Sequence, residues 1–140
     1  MLQFSPMLDT FLVPQTVVNA KGDSAVVDLR NVANRVFLLT LEITNIVEQE
    51  SLDVFVYGSA DGAVFGPKPL AIFPQKFYRG SHPLLFDLTA HPEIKHIRAH
   101  WEVNRWGRGS ETPMFEFQVA IKEVPPEILK EATAEAQALA

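Results

Sequence analysis

By residue type, four histidines, His82, His91, His96 and His100, are the side chains best suited to chemistry. An imidazole can ligate a metal or move a proton near neutral pH. Spacing works against the tightest pair. A strand advances about 3.3 Å per residue, so His96 and His100 on one strand stand about 13 Å apart. Zinc holds its nitrogen ligands at about 2 Å, and these two rings do not share an ion without a bulge. His82 and His91 each precede a proline and read as loop residues. The expectation is therefore surface imidazoles, with no metal and no cofactor. A histidine metalloenzyme is the competing reading.

Other catalytic sets are missing. No G-x-S-x-G elbow occurs, and Ser59 falls in a turn signal instead of a strained strand-to-helix bend. Asp53 is expected near Glu42 across a hairpin, but acids on a strand's wet face are ordinary. A glycosidase needs two carboxylates about 5 to 10 Å apart across a cleft. Asp61 alone does not make a Ca²⁺ loop, and no glycine-rich turn joins a strand to a helix to cradle phosphate. With no cysteine, disulfides, thiolate metal sites and thiol nucleophiles are excluded. No catalytic residue is assigned, and the chain is read as not an enzyme.

Contact chemistry is better represented. Arg105-Trp106-Gly107-Arg108-Gly109 sets two guanidiniums beside an indole, suited to stacking on a base, a sugar or a partner's ring. Alternatively, Trp106 folds back to plug the end of the domain while Arg105 and Arg108 pair with acids. Phe55, Tyr57, Phe77 and Tyr78 are awkward on a solvated face and mark either a subunit interface or a surface covered by other parts of the chain.

The elements that must position these residues follow a period of two. Phe37, Leu39, Leu41 and Ile43 alternate with Leu38, Thr40, Glu42 and Thr44, so one face is buried and the other wet. Leu52, Val54 and Val56 continue the pattern in a second strand, expected to pair with the first through the polar stretch 45–51. Gly58 to Gly62 is a turn whose Asp-Gly step accepts positive φ. Leu70 to Phe73 is a short strand ended by Pro74, and Leu84 to Leu88 follows Pro83 with Leu84, Phe86 and Leu88 inward. Ile97, Ala99, Trp101 and Val103 face inward against His96, Arg98, His100 and Glu102; Phe115, Phe117, Val119 and Ile121 do so in the last strand. Ala25 to Leu29 forms an earlier strand. Phe11 to Val18 is an edge strand, because Pro14 removes a ladder donor.

Connections this short and rich in Gly and Pro leave no room for crossover helices. The fold class is all-β, an antiparallel β-sandwich of jelly-roll or immunoglobulin-like kind, with residues 1–124 as one domain. The tail 125–140 is rich in Ala, Glu and Leu, and Ile128 or Leu129, Ala132, Ala136 and Leu139 repeat at helical spacing. A helix of about 14 residues is marginal alone, so Ile128 and Leu129 are candidate docking residues.

At 140 residues the chain is one domain's worth, large enough for a core without staples. Its 47% apolar and 21% charged residues match a globular protein and exclude disorder. With a net charge of −5, the chain as a whole is not an electrostatic trap for nucleic acid or anionic membrane. No apolar run reaches the ~18 residues of a bilayer span, and no signal peptide is evident, so a cytoplasmic or virion-associated location is expected.

The order Leu39 to Thr44, Leu52-Asp53-Val54, Gly58 to Gly62 with Phe65, Phe73-Pro74-Gln75, Ile97 to Trp101 and Phe115-Glu116-Phe117 resembles small β-sandwich proteins of bacteriophage and prophage structural regions and their uncharacterised bacterial relatives. The likeness spans about residues 36 to 122. It implies a non-enzymatic role in forming or decorating a homo-oligomer or larger assembly, virion-like or cellular. A carbohydrate-binding module, with Tyr57, Trp101 or Trp106 stacking on sugar rings, is the alternative, although Trp101 falls on the inward face.

Overall fold

The computed structural model describes residues 7–46, 50–76, 79–105 and 114–125, with Glu50 and Arg105 described in backbone only. Nine strands form, in order β1 (Asp9–Val18), β2 (Gly22–Asp23), β3 (Val27–Asp28), β4 (Val36–Ile46), β5 (Glu50–Ser59), β6 (Ala71–Ile72), β7 (Gly80–Asp87), β8 (His96–Arg105) and β9 (Phe115–Glu123). There is no helix among the described residues. The expected tail helix, with Ile128 and Leu129, lies outside them.

Two antiparallel sheets pack face to face. Sheet I has the order β1-β9-β4-β7, and sheet II the order β2-β8-β5-β6 with β3 also on β8. The pairing is nested: β1 with β9, β2 and β3 with β8, β4 with β7, β5 with β6. The chain is in effect one long hairpin bent at β5 and β6 and wrapped so that β4 meets β9 and β5 meets β8.

The alternation in sequence becomes the space between the layers. Phe37, Leu39, Leu41, Phe115, Phe117, Val119 and Ile121 of sheet I face Leu52, Val54, Val56, Ile97 and Ala99 of sheet II, all fully buried. Trp101 meets Phe117 edge-on across the layers, ring centroids 5.6 Å apart, and its indole N–H donates to the Ala20 carbonyl. Emptying such a site, as in Phe117→Ala, costs about 3 to 5 kcal/mol. Gly22 is needed beside the indole, because a Cβ there would lie 2.8 Å from Trp101 Cζ2.

One inward slot is acidic. Glu123 follows Ile121 on the buried face of β9 and is 2% exposed. Its Oε1 accepts the Leu8 N–H, and its Oε2 accepts the Asn34 N–H and side-chain amide. Three donors offset the loss of water around the carboxylate. They also tie the start of β1 and the turn before β4 to the end of β9.

Three expectations are corrected. The strand at 36–46 does not pair with the strand at 50–59: β4 lies in sheet I and β5 in sheet II, so Asp53 sits opposite Glu102 and Glu42 opposite Gln118. Alternation states which side of a strand is buried, and strands facing one core from opposite layers share the same pattern. Pro83 does not precede its strand but lies within β7, opposite Thr40. An edge strand tolerates the missing donor. His82 is consequently a strand residue, opposite Leu41, and not a loop residue. The strand expected at 25–29 shrinks to β3, and a second short piece, β2, precedes it. Between them Ser24 Oγ accepts the Ala99 N–H at 2.8 Å and Ser24 N–H donates to the Ala99 carbonyl, so the side chain fills a gap in the ladder. β1 is an edge strand as expected, irregular on both sides of Val13 around Pro14.

Candidate functional site

Outward residues of β8 and β5 form the floor of sheet II's solvent face: His96, Arg98 and His100 alternate with buried neighbours, opposite Ser59, Tyr57 and Phe55. The chain after β5 then folds over this floor. Ser59 Oγ donates to Asp61 Oδ1 and accepts the Gly62 N–H, each at 2.9 Å, while Asp61 Oδ1 accepts the N–H groups of Ala63 and Val64. These bonds hold the Asp61 carboxyl near pKa about 2, with the Val64 and Ala63 amides as the leading causes. Gly62 takes φ +82° and lies against the His96 ring, where a Cβ would come within 3.2 Å of Cδ2. Phe65 follows, and the Arg98 guanidinium carbon sits 4.3 Å over its ring centre.

On the other side β2 supplies Asp23, opposite His100. Asp23 Oδ1 and His100 Nδ1 are hydrogen-bonded at 2.9 Å, and His100 Nε2 lies 3.8 Å from Glu102. Between roof and rim is an open hollow of about 310 Å³ lined by Asp23, Tyr57, Phe65, Gly66, Arg98 and His100. Tyr57 meets His100 edge-on at 6.3 Å, and Phe55 lies at 6.1 Å on the ring's other flank.

Ser59, His96 and Asp28 stand in a row that invites comparison with a nucleophile, base and acid. However, Ser59 is 2% exposed with its hydroxyl committed to Asp61 and Gly62, and His96 Nε2 is 3.9 Å from Asp28. Asp28 is itself clamped by the Arg30 guanidinium and backbone, which hold its pKa at about 2. The activated hydroxyl that acyl transfer needs is not formed. Among the described residues no three His, Cys, Asp or Glu side chains gather as metal ligands.

Of the residues singled out from sequence, Tyr57 lines this hollow and Phe55 lies beside it against His100, both half-buried. Arg105 closes β8 opposite Glu50. Trp106, Arg108, Phe77 and Tyr78 lie outside the described residues. Trp101 is buried against Phe117, as its alternation required, and takes no part.

A second surface escaped the sequence reading. On the outer face of sheet I, Phe11, Ala120, Thr40 and Pro83 form one row across four strands, and Asp9, Lys122, Leu38 and Leu85 the next. Phe11, Leu38 and Leu85 are 46%, 36% and 53% exposed. Farther along, the same face is polar: Gln118 donates to Glu42, and Thr44 donates to Glu116. Two leucines on the wet side of separate strands were the available signal, visible only once β4 and β7 are paired.

Compared with known proteins, the chain matches no family model and no curated protein.

Proposed function

We propose that the protein is a non-enzymatic assembly component that associates with further copies of itself through the apolar half of sheet I's outer face. The observation that carries this is the row structure just described, in which Leu38, Leu85 and Pro83 adjoin on β4 and β7, with Phe11 exposed on the same face beyond Ala120 and Lys122 of β9. Monomeric proteins rarely leave such a patch open unless a partner covers it.

A second copy is the occupant because the alternative route, strand addition at an edge, is blocked on every side. β1 carries Pro14 and irregular pairing, β7 carries Pro83, and β2, β3 and β6 are two residues each. Contact between flat faces is what remains, and a face that packs on its own twin makes a closed dimer. Glu42, Gln118 and Glu116 farther along the face border it with the polar groups such an interface needs.

The nested pairing supports reading the connectivity as a jelly roll, with β2 and β3 as pieces of one strand. Jelly rolls build capsid shells and lectins. That permits an assembly role without dictating it, and agrees with the resemblance to phage structural proteins.

Light scattering coupled to size exclusion tests the proposal on the full chain. Dimers or larger species are expected at micromolar concentration, with Leu38→Asp or Leu85→Asp returning the protein to monomer. A wild-type chain that stays monomeric throughout that range rejects it.

A further inference from the structure

The hollow on sheet II has unsatisfied binding capacity of a particular chemical pattern. Arg98 is packed over Phe65, yet no hydrogen bond to its guanidinium exists among the described residues, and its nearest carboxylate, Asp23, is 4.0 Å from Nε. A guanidinium brings five N–H donors in a planar fork matched to a carboxylate. Phe65 fixes the plane of that fork and so lowers the entropy lost when a ligand binds.

Acceptors stand opposite this donor. Asp23 uses Oδ1 for His100 and leaves Oδ2 without a bond among the described residues. Tyr57 adds a hydroxyl that can donate or accept, and its ring and that of Phe65 give the hollow apolar walls. The site therefore asks for a compact ligand with one carboxylate, several hydroxyls and a carbon frame. Inorganic phosphate offers an anion to Arg98 but brings no carbon frame for the walls of Tyr57 and Phe65. A neutral sugar brings the hydroxyls and leaves Arg98 unpaired.

We propose that this hollow binds an acidic saccharide, a uronic acid residue whose carboxylate is taken by Arg98 and whose hydroxyls are taken by Asp23 and Tyr57. It lies on the sheet opposite the proposed self-association face, so an assembled particle keeps it open to solvent.

Calorimetric or NMR titration of the full chain with glucuronate and galacturonate oligosaccharides is the test, with glucose oligosaccharides and inorganic phosphate as comparators. Saturable uronate binding is expected, at least about tenfold tighter than either comparator. Arg98→Lys, which keeps the charge and loses the fork, is expected to weaken it by about tenfold or more, and Asp23→Asn to weaken it less, with the melting temperature of both variants near wild type. No uronate binding, phosphate binding as tightly as uronate, or unchanged binding by Arg98→Lys overturns the assignment. Because light scattering reads assembly and titration reads this hollow, either proposal can fail without the other.

Discussion

The two outer faces of the sandwich are made from strands of the same alternating design and end in opposite states. Sheet I joins strands of eight residues or more, and among the described residues nothing covers its face, which shows leucines and a phenylalanine. Sheet II joins two long strands to pieces of two residues, and the chain saved from those strands folds over the face as a roof. A long regular strand spends its polar groups on the ladder and presents only side chains. An interrupted one frees backbone that can be bent over a neighbour. An exposed face of side chains on one sheet and a walled hollow on the other follow from that one difference.

The sharpest break in the comparison is charge on the face of sheet I. Leu38→Asp is expected to weaken self-association by about a hundredfold or more, measured by sedimentation, while moving monomer stability by only about 0.5 kcal/mol. Its counterpart on sheet II acts on stability. Gly22→Ala drives a methyl into the Trp101 indole, a rigid obstacle 2.8 Å away, and is expected to cost about 2 kcal/mol in urea unfolding with a changed tryptophan emission. Ser24→Ala removes the side chain that bonds the Ala99 N–H between β2 and β3, and a loss of about 1 kcal/mol is expected by the same assay.

Acid has the smallest effect and falls on the roof and on β3. Asp61 and Asp28 titrate in the folded protein at about 2, below the ordinary 3.8. Between those values the unfolded chain binds more protons than the folded one, so the stabilisation is whole above about pH 4 and is lost as pH falls toward 2. Melting curves across that window should flatten in Asp61→Asn. A wild-type slope retained by that variant would place the acid sensitivity elsewhere.

Much of the fold was legible because it rests on one rule. The inward sets of β4, β5, β8 and β9 and the burial of Trp101 follow from residues alternating between water and core, and the edge position of β1 follows from Pro14. Sheet membership did not follow, since Leu39 and Val54 satisfy the same rule in different layers. The hollow was half legible: Tyr57 and Phe55 stood out as outward aromatics, but Phe65 over Arg98 and Asp23 beside His100 join residues far apart in the chain. Glu123 was not singled out from the sequence. Its inward slot was readable from Ile121, but its three donors come from Leu8 and Asn34, which no local pattern connects to it.

The nested pairing also has a bearing on synthesis. β9 lies between β1 and β4, so the middle of sheet I stays empty until the C-terminal quarter of the chain has been made. Contacts between segments so distant in sequence form slowly. While translation continues, Leu39, Leu41 and their neighbours wait uncovered beside the ribosome, a window in which a chaperone, or a neighbouring nascent copy, meets this protein first.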